Sequence, residues 1–531
     1  MSSLLRSNVV VAVGTALSRV TGLLRTVVFV YVLGQTALTD AYLLANETPN
    51  IVYDLLLGGV LSATLVPLFT QLIDADADAD GDGRRDTNVL ITVAVTLMAA
   101  LTAVAMLAAP LIFRLYSLNV AEGIDVDLYR RVGTTLTRIF LLQILFYGLT
   151  GVANAYLNSR RRFFAAAWSP ILPNLIIVVT LLSLPGAGDR VGDLADVVSD
   201  SRIRLTLGLG ATLGIAAMAA VVVPATLAAG LRFRPEFRFR HPAVRKLLVL
   251  SGWTLGFVAA NQAALIVVRN LAQGSGQGIA SSYFYAFTFF VLPHGLLAVS
   301  IATTFQPELA RAVKARDKPA FIRQSSLGVR MIALLTFPAA AALVVLARPV
   351  IALMQRGQYG PDDTTNAARA LDGLAVGLVG FSVYLFTLRG FYAHQDTRTP
   401  FVINVFENLL NIVLAFVLVQ KWGVLGLGLA YGVAYIVAAA WALKVLSYKV
   451  PGFPLRELWS SGWRMLMAAA LMAEAMWFVT RDVARDNGLD GIAQLVVGGG
   501  VGLAVYAAVL VALKSPEVGA VRRLLNRTQP G

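Results

Sequence analysis

Two arginines and three acids stand where an apolar sequence should not tolerate them. Arg19 and Arg25 interrupt the apolar stretch from Val9 to Leu33, with Ser18 and Gly22 beside them, and Asp40, Glu47 and Asp54 follow at seven-residue intervals. A charge held at mid-bilayer costs about 2.5–3.5 kcal/mol even on insertion scales, so the charges that persist face a cavity or a partner. A guanidinium stays charged and can grip phosphate through two parallel hydrogen bonds. Seven residues of helix drift by only about 20°, which puts the three acids on one face. At about 1.5 Å per residue, Arg25 lies about 12 Å and Arg19 about 21 Å inside the outer end near Leu33, and Glu47 comes level with Arg25. The expectation is that this acidic face meets the arginine side of the first helix, with Pro49 bending the second helix between the charges. Such a set is either a structural ion-pair cluster holding two helices together, or an anion site. In the second case the acids neutralise an empty cavity and release the arginines when phosphate arrives.

Other polar residues fall inside apolar runs. His294 follows Pro293, Asn261 and Gln262 lie together, Glu407 stands among Asn404, Asn408 and Asn411, and Glu474 lies near the C-terminus. The amides suit hydrogen-bonded packing between helices, whereas each acid needs a partner or a proton. Arg269 reads as an interface anchor or as a phosphate ligand of the second half. Enzyme chemistry lacks its parts. Cysteine is absent and the three histidines are scattered, so thiol catalysis and a metal cluster are not expected. No GxxxxGK[ST], HExxH or GxSxG element occurs. Uphill transport must then draw on a coupling ion, the membrane potential or a partner, with no cofactor. The Asp-rich stretch Asp74–Asp86 lacks the spacing and terminal Glu of a calcium loop and reads as a solvated linker.

The elements that position these residues are membrane helices. Of the 531 residues 57% are hydrophobic and 14% charged, with a mean hydropathy of +0.71, and apolar runs of about 20 residues recur with short polar breaks. The expected fold is all-α and polytopic, with about fourteen transmembrane helices. The first apolar run continues past Ser18-Arg19 and so is expected to be retained rather than cleaved. Aligning the chain with itself at an offset near 240 brings Tyr42 near Tyr283, Pro67 onto Pro307 and Asn174 near Asn411. Gly210–Gly214 and Gly428–Gly432 give each sixth helix a small-xxx-small face. A polar outer loop, Gly186–Arg204, lengthens the first half. Two parallel six-helix halves (residues 1–231 and 246–446) follow, joined by a linker (232–245), with a C-terminal helix pair (447–513) and a tail (514–531). The net charge of +14 is spread as topology requires: about 28 Lys and Arg fall in loops on the N-terminal side and about 14 on the other. Both termini are expected in the cytoplasm. The basic loops Arg232–Lys246 and Arg311–Arg330 read as topology and contact with membrane lipids, with no nucleic-acid partner.

Ser18-Arg-Val-Thr-Gly-Leu-Leu-Arg25, Thr39-Asp40-Ala41, Thr48-Pro49-Asn50 and Gly59–Pro67 resemble the opening of the MurJ (MviN) family. Gln355-Arg-Gly-Gln-Tyr359 and Gly390–Pro400 are similar to two further signatures of that family. The resemblance covers almost the whole chain, and the order and spacing of the motifs make it specific. It implies the fourteen-helix fold of the multidrug/oligosaccharidyl-lipid/polysaccharide exporter superfamily and a lipid II flippase of the bacterial inner membrane. Such a flippase carries the undecaprenyl-pyrophosphate-linked peptidoglycan precursor outward by alternating access. It further implies a monomer with cell-wall synthesis proteins as partners, head-group contacts from Ser18, Arg19, Arg25 and Asp40 in a central cavity, and a lipid-tail groove at the last two helices. The chain also departs from the family. Tyr53-Asp54 replaces a basic pair, Gly58 replaces a usual Glu, and Phe287-Thr288 replaces an Asp-Arg pair. Either fewer cations hold the head group, with Arg269 as a substitute, or the cargo is another polyprenyl-linked saccharide. A cation-coupled exporter of the MATE type shares the helix plan but leaves the arginines and the terminal helix pair unexplained. A scaffold for cell-wall synthesis would make the cavity charges dispensable.

Overall fold

The computed structural model describes residues 2–53, 69–70, 72, 82–160, 162–187, 193–238, 240, 242–481 and 489–517, and all regular structure among them is helical. Two compact units divide the chain: residues 1–266 with 356–359, and residues 267–355 with 360–531. Ten described helices are long and apolar enough to cross a membrane, eleven if the bent pair at 361–393 counts as one span. The order of helices is consistent with about fourteen passes.

The first unit begins with α1 (Ser2–Leu33) and α2 (Ala37–Tyr53), followed by α3 (Asp82–Tyr116), α4 (Val126–Leu141) and α5 (Gln143–Ser159). It continues with α6 (Phe164–Trp168), α7 (Ile171–Leu182), α8 (Leu194–Ser199), α9 (Ser201–Ala228) and the first part of α10 (Pro242–Gly274). Local chemistry sets the ends. The Asp125 carboxylate accepts the amides of Asp127 and Leu128 at 3.0 Å to start α4, and Tyr129, Val132, Leu136 and Phe140 follow at helical spacing as its buried face. Asp200 caps α9 by accepting the Arg202 amide at 2.7 Å. The polar outer loop therefore contains the short helix α8 and this cap. On the other side, the last residues of the Asp-rich stretch are the helical start of α3. There Arg85 pairs with Glu236 at 3.0 Å and Asn88 donates to the Arg232 carbonyl at 3.3 Å, which ties the basic loop to α3.

The second unit holds the rest of α10, then α11 (Ile279–Pro293), a π-helical turn at His294–Ala298 and α12 (Val299–Lys314). It continues with α13 (Lys318–Val345), α14 (Ala347–Ala352), α15 (Pro361–Val376) and α16 (Leu378–Ala393). The last helices are α17 (Arg398–Trp422), α18 (Val424–Lys449), α19 (Leu455–Thr480) and α20 (Leu489–Ala512). The terminal pair α19 and α20 packs on α13, where Met465, Met472, Met476 and Tyr506 join Leu334 in one core cluster. Both small-residue faces allow close approach, to different neighbours. A Cβ on Gly214 would lie 2.9 Å from Pro173 of α7, whereas one on Gly377 would lie 2.2 Å from Gly432 of α18.

The segment 356–359 packs with the first unit although its flanks belong to the second. The Gln358 amide donates to the Tyr31 carbonyl at 3.3 Å, and Gln35 Nε2 donates to the Tyr359 hydroxyl at 3.2 Å. Gly34 and Gly357 have φ of +59° and +61°, and a Cβ on Gly357 would lie 2.5 Å from the Tyr31 carbonyl oxygen. Glycine is needed at 357 for both reasons. Gly357→Ala should cost about 1–3 kcal/mol through left-handed strain and overpacking. The cost would be read as a lower thermal midpoint of the purified protein, and an unchanged midpoint would contradict this packing.

Candidate functional site

In the first unit the turn between α1 and α2 is locked by threonines. The Thr39 hydroxyl donates to the carbonyls of Leu33 at 3.0 Å and Gly34 at 3.1 Å. This fixes the first turn of α2, where Asp40 is buried at 3% exposure and suits the positive end of the helix. Three residues later Tyr42 is clamped between Phe29 and Phe140, with ring centroids 5.0 and 5.1 Å away. Arg25 is half-buried, and Tyr147 of α5 and Tyr42 of α2 lie within electrostatic reach of its guanidinium. Tyr42 is thus an α2 side chain within reach of Arg25, a group the acid-stripe expectation did not include. A phenol solvates a guanidinium without cancelling its charge, so the cation keeps its attraction for an anion.

Arg19 is exposed, one turn and a half from Arg25. Ser18 contributes its backbone: Asn174 Nδ2 donates to the Ser18 carbonyl at 3.2 Å and to the Thr21 hydroxyl at 3.1 Å. That amide holds the arginine-bearing part of α1 against α7. Glu47 is half-buried on α2, and beside it Asn46 Oδ1 accepts from Gln143 Nε2 at 3.2 Å. Asp54 lies outside the described residues, as does Pro67. Pro49 lies inside continuous α2.

The second unit repeats the arginine and tyrosine. Arg269 on α10 is half-buried, and its charge acts on the buried hydroxyl of Tyr283 at the start of α11. Tyr283 is the residue that self-alignment places opposite Tyr42. Thr288 is half-buried and its hydroxyl donates to the Phe284 carbonyl at 3.1 Å, next to an aromatic cluster of Phe287, Phe290, Phe381, Tyr431 and Tyr435. His294 Nδ1 is 3.0 Å from the Ser382 hydroxyl. Glu407 is buried at 1% exposure, whereas Glu474 is exposed on α19. Among the described residues no group of three His, Cys, Asp or Glu could hold a metal.

The signature at Gly390–Pro400 builds a turn. Gln395 has φ of +57°, the Asp396 carboxylate accepts the Thr399 amide at 3.0 Å, and Lys449 Nζ donates to Asp396 and, at 2.8 Å, to the Thr399 hydroxyl. His394 packs edge-on to Phe321 at 4.7 Å. Burial pushes the Asp396 carboxyl up, but the hydrogen bonds from Lys449 and Thr399 outweigh it and hold the group below its ordinary value of 3.8. A depressed carboxyl contributes stability that is present above its unfolded value and lost as pH falls through its folded value. The thermal midpoint should therefore drop on acidification below pH 3.8, and Asp396→Asn should remove that component of the drop. An identical acid limb in both proteins would contradict the assignment.

The sequence model of the family described as Lipid II flippase MurJ matches residues 29–489. The Lipid II flippase MurJ of Burkholderia cenocepacia is 29% identical over 434 residues, which cover 81% of this chain and 81% of that one. A solved structure described as Lipid II flippase MurJ in an inward closed conformation is similar over 95% of this chain and 99% of its own, with a TM-score of 0.76 at 21% identity. An inward-facing multidrug resistance MATE family transporter of the MOP superfamily shares the fold over 81% of this chain and 95% of its own, with a TM-score of 0.63 at 15% identity. With a match across most of its length and the helical fold that goes with it, the chain belongs to the lipid II flippase MurJ family, multi-pass membrane transporters rather than enzymes.

Proposed function

We propose that the chain moves lipid II from the inner to the outer leaflet of the bacterial cytoplasmic membrane by alternating access, and that Arg25 and Arg269 are cations for its pyrophosphate. The observation that carries the residue assignment is the repeated pair: Arg25 with Tyr42 in the first unit, Arg269 with Tyr283 in the second. Each arginine lies on the first helix of its half and each tyrosine on the next. A parallel repeat that keeps a half-buried guanidinium beside a buried phenol twice offers phosphate a charge-assisted donor in each unit. Arg19, exposed and nearer the inner end of α1, suits first contact with the head group. Asp40, Glu47 and Asp54 then moderate the positive charge of the empty site, and Ser18 and Thr288 shape its walls.

This arrangement also answers the departure at Phe287-Thr288. Arg269 supplies from α10 the positive charge that relatives carry on the following helix, so lipid II remains suitable cargo. The asymmetry of Lys and Arg places both termini in the cytoplasm. With no nucleotide-binding loop in the sequence, transport runs on an ion gradient or the membrane potential.

The test is replacement of an essential lipid II flippase by this chain in depleted cells, with external lipid II and growth as readouts. The unaltered chain should restore both. Arg25→Ala and Arg269→Ala, at equal expression and membrane level, should each weaken head-group binding roughly tenfold or more, the worth of a charge-assisted contact, and fail to restore growth. Normal growth with either variant would remove that arginine from the mechanism. Failure of the unaltered chain to expose lipid II would point to another polyprenyl-linked saccharide.

A further inference from the structure

Glu407 is the acid that the phosphate site does not use. It lies on α17, 1% exposed, and neither carboxyl oxygen has a hydrogen-bond partner among the described residues. Four phenols lie within its electrostatic reach: Tyr283 of α11, Tyr384 of α16, and Tyr431 and Tyr435 of α18. The one cation in this neighbourhood named by the same contacts is Arg269, which meets it only through their shared neighbour Tyr283. On its own helix the buried residues beside it are the amides Asn404, Asn408 and Asn411. An ionised carboxylate in such a place would have phenols and amides around it and, among the described residues, no hydrogen bond to repay its lost hydration. The neutral acid is the form this environment accepts.

From these observations we infer that Glu407 is a proton-binding site, loaded in the packed form of the second unit described here and emptied when that unit repacks, through which transport is coupled to a proton gradient. The ligand is a single proton, and no atom of the cargo takes part. Loading forms one O–H bond on the carboxyl, and release returns that proton to water as the carboxylate becomes hydrated. The amides at 404, 408 and 411 share the buried face with Glu407, and Thr399 lies about 12 Å from it along the helix, at the turn that bears Asp396 and Lys449. Of these amides Asn404 lies between that exposed turn and the acid. A single carboxyl among phenols suits a proton better than a metal cation, which needs several oxygen ligands and a compensating negative charge. Tyr283 gives the site a reason to sense the cargo, because it is shared with Arg269. An anion arriving at Arg269 changes the field that Tyr283 and Glu407 experience.

The coupling role rests on the transporter reading above, whereas proton binding does not. Two measurements on the full chain separate them. In substrate-free protein in nanodiscs, infrared difference spectra should show a protonated carboxyl band at neutral pH that shifts in heavy water. It should be absent in Glu407→Gln and kept in Glu407→Asp. Absence of the band from the unaltered chain would overturn the proton site whatever the cargo is. In proteoliposomes with the membrane potential clamped at zero, one proton per cycle would convert a pH difference of about one unit into a roughly tenfold shift in the distribution of lipid II. Glu407→Gln, which mimics the loaded form and should keep its thermal midpoint, should abolish that shift. An equal response in both proteins, or one that follows replacement of sodium by choline instead of pH, would overturn the coupling.

Discussion

A bilayer offers no water to a polar group, so each one carried into it must be answered by another part of the protein. That constraint organises the described spans. The hydroxyls of Thr26, Thr48, Thr102, Thr336 and Thr387 turn back onto the carbonyl one turn earlier in their own helices, which satisfies them without a neighbour. Asn174 and Gln143 instead reach across to other helices and fix α1 and α2 in place. The groups that local bonding does not settle are the informative ones. Arg25 and Arg269 are attended by phenols that solvate without neutralising, and Glu407 is left, among the described residues, with no hydrogen-bond partner for its carboxyl. A permanently charged cation and an acid that can shed or keep its charge are the two kinds of group an anion transporter needs. In the mechanism proposed above, one holds the cargo and the other responds to conformation.

The same economy explains the motifs that mark the family. Gln355–Tyr359 and Gly390–Pro400 stand out in the sequence as family signatures that combine glycine, charge and amides. In the structure they are knots of backbone. Gly357 fits where a Cβ would strike the Tyr31 carbonyl, and Asp396 is tied to Lys449 and Thr399 at the start of α17. They are placed at turns where two helices must leave in defined directions, and their effect on function passes through the helices they aim.

The helical class and the run of long apolar helices were legible in the sequence, because hydropathy reports their length directly. So were Arg19, Arg25, Arg269 and Glu407 as residues that need a reason. Their surroundings were not. Tyr42, Tyr147 and Tyr384 read as ordinary members of apolar helices, since a phenol contributes to hydropathy as a ring and hides its hydroxyl. The charge stripe at 40, 47 and 54 was visible by periodicity, but which side chain of α2 reaches Arg25 depends on helix rotation, which periodicity leaves open. Likewise Gly428–Gly432 announced a close approach without naming its partner on α15 and α16. The docking of 356–359 with the first unit carried no local signal at all, because it depends on contacts more than 300 residues apart in sequence.

Under the proposed function, Arg25 in the first unit and Arg269 in the second each grip phosphate of the lipid-linked glycan. The most direct measurement is the affinity of the full chain in nanodiscs for an undecaprenyl pyrophosphate, set against undecaprenol without phosphate, in the unaltered protein and in Arg25→Lys and Arg269→Lys. Lysine keeps the charge and loses the forked geometry. The account predicts tight, salt-sensitive binding of the pyrophosphate alone, weakened by each lysine while undecaprenol binding stays the same. Equal affinity for the two lipids, or pyrophosphate affinity indifferent to both substitutions, would contradict it.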